Sequence, residues 1–370
     1  MMQGDNRQDL DFNAVQRGDA EMAQKVYRVL RACVEMGPFN PIVSIHDQGA
    51  GGNCNVVKEL IYPAGATIDV RSVVVGDHTL SALEIWGAEY QEQFGLLLKP
   101  EHEVLFNTIC ERENVTPAVL GSIDGSGRIV PWDDVEQQNV VDLDLESVLG
   151  DLPQKTFIDS RVTATFPPFI HPASLSIEDL LSRVLSLMTV ASKRFLTTKV
   201  DRSVTGLVAQ QQCVGPLLTP LCGYGVAATS HLSLNGAATA LGERPTLTSV
   251  DPAAMARMSV AEMLTNLAGA RVSRRAHIKC EANWMWAAKL PGDCASLLDA
   301  AAAMRDVMIE LDIAVDGGKD SLSMAARCPD EDSMVRAPGT LVISGYCTMP
   351  DIRRKLTPDL KGRGGLARET

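Results

Sequence analysis

The stretch Ile45-His46-Asp47-Gln48-Gly49-Ala50-Gly51-Gly52-Asn53 constrains this chain more than any other. The apolar run Pro41-Ile42-Val43-Ser44-Ile45 leads into it, and Val56-Val57-Lys58-Glu59-Leu60 follows. The order is therefore strand, glycine-rich turn, helix. Such a turn bares backbone N–H groups at a helix N-terminus, where anions bind well. Asp47 stands at its mouth and suits a Mg²⁺ ion that partners the anion. It equally suits a plain helix cap in a tight turn, and the residues alone leave both readings open. Far downstream, Ile313-Ala314-Val315 reads as a strand feeding a second turn of the same kind, Val315-Asp316-Gly317-Gly318-Lys319-Asp320-Ser321. Two such turns tilt the reading toward phosphate chemistry.

A length of 370 residues predicts two domains rather than one core. Hydrophobic residues at 45% and charged residues at 22% predict a folded, soluble chain. The net charge of −12, with no basic stripe to offset it, argues against nucleic acid as a partner. Nine widely spaced cysteines without a C-x-x-C pair point to reduced thiols in a cytoplasmic setting, not to disulfides or zinc. No apolar stretch reaches membrane-spanning length, and the first residues do not read as a signal peptide.

Hydrophobic spacing predicts helices over 20–35, 102–112, 252–268 and 295–311, and extended segments at 66–75, 94–98, 118–121, 128–130, 226–229 and 340–344. The pattern is α/β. A first domain is placed at 12–130 and an acidic, proline-rich connector at 131–172, with one short helix near 145–149. A second domain follows at 173–350, then a loose tail at 351–370. The connector's carboxylates, Asp133 among them, read as a solvated face. Val104, Leu105 and Ile109 are placed on one face of the 102–112 helix. Trp284-Met285-Trp286 reads as core.

Glu262 and Asn266 lie four apart on the 252–268 helix, off its apolar stripe of Val260, Met263, Leu264 and Leu267. A carboxylate and an amide oxygen suit Mg²⁺, but an ordinary exposed pair has the same spacing. Lys193 after an apolar run can reach a phosphate as a point charge, or be a surface lysine. The chain has no Walker A loop, no H-E-x-x-H and no G-x-S-x-G elbow.

Seven stretches in order resemble phosphoribosylformylglycinamidine synthase of the large, single-chain type. They are V-Q-R-G-D (15–19), I-H-D-Q-G-A-G-G-N (45–53), E-I-W-G-A-E-Y-Q-E (84–92), the run from Val190 to Pro216, V-A-E-M-L-T-N (260–266), N-W-M-W-A-A-K-L-P-G (283–292) and D-G-G-K-D-S-L-S-M (316–324). The resemblance runs from about Asp11 to Pro350. It implies an α/β (α+β) fold: an aminoimidazole-ribonucleotide-synthetase-like (PurM-like) C-terminal domain of a first synthase half, then a PurM-like N-terminal domain of the second. It also implies conversion of formylglycinamide ribonucleotide to formylglycinamidine ribonucleotide in purine biosynthesis, with ATP, Mg²⁺ and glutamine.

By that resemblance Gln16, Glu89, Tyr90, Gln91 and Ser321 contact substrate, and Lys193, Cys222 and Gly318 contact nucleotide. Asp47 would hold Mg²⁺ in the first site. Glu262 and Asn266 would hold it in a structural nucleotide site of the second half. One position departs. The family has Ala-Asp where Cys222-Gly223 stand, and that aspartate is a metal ligand, so the second metal site is expected to be weakened. The glutaminase domain and other walls of both sites lie outside this chain. The isolated chain is expected to be inactive, with the remaining domains of the same polypeptide as its partners. The alternative is a non-catalytic nucleotide-binding or assembly module that keeps the fold.

Overall fold

The computed structural model describes residues 19–49, 51–89, 93–162, 165–168, 170, 174–192, 194–197, 206–328, 333–359 and 361. Contacts divide the chain into two compact units, with the break between Thr156 and Phe157.

The first unit opens with α1 (Ala20–Glu35), where Asp19 caps the helix by accepting the Met22 N–H at 3.0 Å. There follow β1 (Ile42–Asp47), α2 (Gly52–Ile61), β2 (Ala66–Asp69), α3 (Ala82–Gly87), β3 (Phe94–Leu98) and α4 (Glu103–Arg112). β1 and β3 form an antiparallel pair. The strands β4 (Gly121–Ile123), β5 (Arg128–Asp133) and β6 (Gln138–Asn139) join β2 in the order β4-β2-β5-β6, and β7 (Leu143–Asp144) pairs with β5. Val29 and Cys33 of α1 meet Phe106, Ile109 and Cys110 of α4 in one small core. A second core gathers Val57, Ile61, Ile68, Val70, Ile85, Trp86, Ile129 and Leu145. Ile109 is buried as expected, but Val104 is 78% exposed, and Phe106 and Cys110 join Ile109 on the inner face of α4.

The sheet continues past Val130, where composition placed the end of the first domain. β5 runs on to Asp133, and β6, β7 and α5 (Leu145–Leu149) close around it. Asp133 is not on a solvated face, because its side chain is fully buried. It takes two bonds from Arg71, at 2.9 Å from Nε and 2.7 Å from Nη2, and also accepts the Val135 N–H at 2.9 Å. The Arg71 guanidinium and these amides hold the carboxyl at about 2, against an ordinary 3.8.

In the second unit, Asp159 accepts the Gly292 and Ala295 N–H groups at 2.9 and 3.1 Å, and Arg161 forms a two-bond pair with Asp299. This part of the expected connector is therefore a strap on the N-terminus of a long helix. Two short helices follow, α6 (Ile177–Leu185), with a Ser176–Asp179 capping box, and α7 (Arg194–Thr197). Strands β8 (Val208–Gln210), β9 (Tyr224–Ala228), β10 (Gly236–Glu243), β11 (Lys279–Met285), β12 (Ala314–Ser321) and β15 (Thr340–Met349) make one six-stranded sheet in the order β12-β11-β15-β10-β9-β8. Only β11 and β12 run parallel. β13 (Ala325–Cys328) and β14 (Ser333–Arg336) form a separate hairpin.

Two long helices, α8 (Pro252–Leu267) and α9 (Asp293–Leu311), supply the other half of the core. Met255, Val260 and Met263 of α8 and Ala300 and Met308 of α9 pack on Ala238, Ala240, Ala282, Leu341 and Ile343 of the sheet. Trp286 is fully buried beside them, as expected of core. The sheet must be small-residued where α8 rests on it. A Cβ at Gly242 would fall on the Ser259 carbonyl, and one at Gly345 on the Met263 side chain.

The second glycine stretch is not a turn. Residues 314–321 form β12, in register with β11 apart from a bulge opposite Cys280/Glu281. Neither Gly317 nor Gly318 takes a positive φ. Asp316 stands at the bulge and accepts the Tyr346 hydroxyl at 2.7 Å. With no following helix N-terminus, the anion-cradle argument does not apply there.

Two outcomes follow from this packing. Asp133→Asn leaves the half-buried Arg71 without a counter-charge and should cost about 2–3 kcal/mol in chemical denaturation. Because the folded carboxyl titrates near 2 and the ordinary one near 3.8, its contribution is present above about pH 4 and lost as pH falls through 2. Acid denaturation of the variant should therefore lose that part of its pH dependence. Gly345→Val overpacks the α8 contact and should cost at least about 1–3 kcal/mol, whereas an unchanged midpoint would contradict the close approach of Met263.

Candidate functional site

The glycine-rich turn of the first unit joins β1 to α2. Gly51 and Gly52 take φ of +88° and +58°, which side-chain-bearing residues rarely adopt. Gly51 is the N-cap of α2, and no side chain caps that helix. Asp47 is not the cap, so the plain-cap reading fails. Its side chain is 81% exposed at the end of β1. The first turn of α2 thus keeps backbone N–H groups and the positive end of the helix dipole without a side-chain partner.

The turn is held from below. Gln48 donates its backbone N–H to Gln93 O at 2.9 Å and its side-chain amide to Asn53 at 2.8 Å. Asn53, buried, donates in turn to Ile85 O at 3.2 Å. A Cβ at Gly52 would fall on the Ala88 carbonyl, with the Ala88 carbon only 2.7 Å away. The backbone of Ala88, next to Glu89, therefore lies against the turn. The Glu89 segment thus begins against the turn that follows Asp47, at Gly52 rather than at Asp47 itself. Gln48 and Asn53 stand inside the quoted motif, yet their role as anchors could not be read without knowing that α3 is their neighbour. Behind Asp47, His46 faces Glu59 at 3.1 Å through Nε2. Gln16, Tyr90 and Gln91 lie outside the described residues. An exposed carboxylate beside an uncapped helix N-terminus is a donor set that fits a Mg²⁺–phosphate pair.

The second unit places Cys222, Gly223, Glu262 and Asn266 together. A Cβ at Gly223 would fall on the Asn266 carboxamide, whose Cγ is 2.7 Å away. Cys222 turns its thiol inward, accepting from buried Gln210 at 3.1 Å, so only its backbone faces this cluster. Both oxygens of Glu262 are engaged: Oε1 by Arg244 at 2.7 Å, Oε2 by the Glu243 N–H at 2.8 Å. Asn266 donates to Leu241 O at 2.8 Å. Gly223 has no oxygen to offer in its side chain. These donors do not fit a divalent cation. No group of three His, Cys, Asp or Glu side chains among the described residues could hold a metal. Gly318 and Ser321 are not part of the cluster. They lie on β12, at one edge of the sheet and three strands from β10, about 14 Å at ordinary strand spacing. Lys193 lies outside the described residues.

Residues 1–134 match the family model "AIR synthase related protein, C-terminal domain", and residues 192–348 match "FGAR-AT PurM_N-like domain". The chain is 56% identical over 372 residues to the probable chloroplastic/mitochondrial phosphoribosylformylglycinamidine synthase of Arabidopsis thaliana, covering 98% of this chain and 26% of that protein. It is 55% identical over 383 residues to the Homo sapiens phosphoribosylformylglycinamidine synthase, covering 99% of this chain and 28% of that one. The chain thus spans little more than a quarter of the length of these curated relatives. Among solved structures, Thermotoga maritima PurL complexed with FGAR superposes with a TM-score of 0.70 at 16% identity, covering 96% of this chain and 52% of that chain. The same protein complexed with ATP gives 0.68 at 15% identity, covering 94% and 52%. Over its whole length the chain corresponds to a segment of the large single-chain phosphoribosylformylglycinamidine synthases, with an AIR-synthase C-terminal domain ahead of a PurM_N-like domain in a mixed α/β, PurM-like fold.

Proposed function

We propose that this chain contributes one half-site to a phosphoribosylformylglycinamidine synthase, a glutamine-dependent ligase of purine biosynthesis. The reaction converts formylglycinamide ribonucleotide to formylglycinamidine ribonucleotide. The γ-phosphoryl group of ATP passes to the amide oxygen of the substrate, and ammonia then adds at the amide carbon and displaces phosphate. The observation that carries this reading is the exposed Asp47 carboxylate beside the uncapped N-terminus of α2, with the turn pinned against Ala88.

In this reading Asp47 holds Mg²⁺ and the first-turn amides of α2 bind phosphate oxygens. The Glu89 segment orients the substrate against them. Mg²⁺, when bound, neutralises the charge that builds on the transferred phosphoryl group. The protein's share is positioning, which suits a turn over-determined by Gln48, Asn53 and two left-handed glycines. The walls that complete the site come from the rest of the longer polypeptide, so the 370-residue chain alone is inactive. The alternative, a non-catalytic nucleotide-binding module, is favoured only by the second unit, where Gly223 and the engaged Glu262 depart from a metal site. We place the activity in the cytoplasm. All nine cysteines are free, and no helix among the described residues is long and apolar enough to cross a membrane. The Arabidopsis relative is named for two organelles, so imaging of a tagged full-length protein decides the compartment.

The test is ammonia-dependent product formation by this chain and by a polypeptide extended with the flanking segments of its relatives. The chain should give no product and the extended form should turn over. Asp47→Asn in the extended form should lower kcat by on the order of 100-fold. An extended form that binds ATP yet makes no product would remove the synthase reading.

A further inference from the structure

We infer that the Glu262–Asn266 cluster of the second unit is a metal-free clasp, in which Arg244 supplies the positive charge a divalent cation would otherwise bring. The inference stands apart from the half-site at Asp47, because every residue it uses belongs to the second unit.

Glu262 and Asn266 share one face of α8, and three contacts tie that face to the end of β10. Glu262 accepts the Glu243 N–H at 2.8 Å, pairs with the Arg244 guanidinium at 2.7 Å, and lies one helical turn from Asn266, which donates to Leu241 O at 2.8 Å. Alternate backbone positions 241 and 243 and the side chain of 244 are thus fixed by two residues of one helix. Such bonds matter at a strand end, where the ladder no longer satisfies the backbone.

The same bonds exclude a cation for three reasons. Mg²⁺ demands close to six oxygen ligands in near-octahedral order, and each Glu262 oxygen already has a donor. A divalent ion at Glu262 would sit beside the Arg244 guanidinium, and like charges at that range repel. The neighbouring position Gly223 has no side chain to offer, and its missing Cβ is the space into which the Asn266 carboxamide is packed. Gly223 therefore does more than withhold a ligand. It lets Asn266 lean toward the 222–223 backbone while its amide reaches Leu241.

The experiment uses the full chain carrying Asp47→Asn, so that the first unit contributes no metal site. Isothermal titration with ADP in the presence of Mg²⁺ should give no saturable heat, and Mg²⁺-ADP should not shift Tm. Glu262→Gln in that background should lower Tm by about 2–6 °C, equally in EDTA and in Mg²⁺-ADP. Gly223→Asp puts a Cβ where the Asn266 carboxamide is packed and should loosen its bond to Leu241, lowering Tm equally with and without Mg²⁺-ADP. Should that variant fail to fold, the Glu262→Gln comparison decides alone. A Tm rise with Mg²⁺-ADP that Glu262→Gln abolishes would overturn the clasp and restore a cation site.

Discussion

The first unit's chemistry depends on one steric fact: there is no room for a side chain at residue 52. The Ala88 carbonyl occupies that place, and Gly52 adopts a left-handed φ that the same absence permits. From that contact the rest follows. α2 begins immediately after the turn with no side-chain cap, and the Ala88 backbone lies against the turn at Gly52. Gln48 and Asn53 lock the arrangement from the buried side, through Gln93 and Ile85. A phosphate site needs bare amides and a nearby oxygen ligand held without reorganisation. Packing leaves the α2 N-terminus without a side-chain cap and Asp47 exposed.

In the second unit the same economy of side chains serves a different end. Gly242 and Gly345 let α8 settle onto the sheet, and the helix's inner face is filled by Met255, Val260 and Met263. Its outer face carries Glu262 and Asn266, which bond to the end of β10. The two units thus use close backbone approach differently. In the first it leaves a helix N-terminus without a side-chain cap, and in the second it engages the donors within the protein.

The sequence carried the long helices well. α1 and α8 begin where Asp19 and Asp251 cap them, and their apolar spacing is regular. The first glycine turn was legible because strand, glycines and helix are contiguous. What failed has physical causes. β10 was missed because Gly236-Ala237-Ala238-Thr239-Ala240 lacks large apolar side chains, and its small residues answer to the close packing of α8 rather than to a strand pattern of their own. The Gly317-Gly318 pair looked like a turn because glycine signals permission, not requirement. A parallel partner, β11, turned it into strand. Asp133 read as solvated because its partner, Arg71, is 62 residues away. The first site could be half-read, since Asp47 and the Glu89 segment were named separately, but the approach of Ala88 to the turn rests on Gly52. In the second, Arg244 gave no local signal at all.

The most direct test of the account is anomalous diffraction from Mn²⁺ in crystals of the extended polypeptide grown with a non-hydrolysable ATP analogue. The account predicts a peak at bonding distance from the Asp47 carboxylate, with phosphate oxygens facing the first-turn amides of α2. Bound nucleotide with its metal held elsewhere, and Asp47 left in solvent, would contradict it.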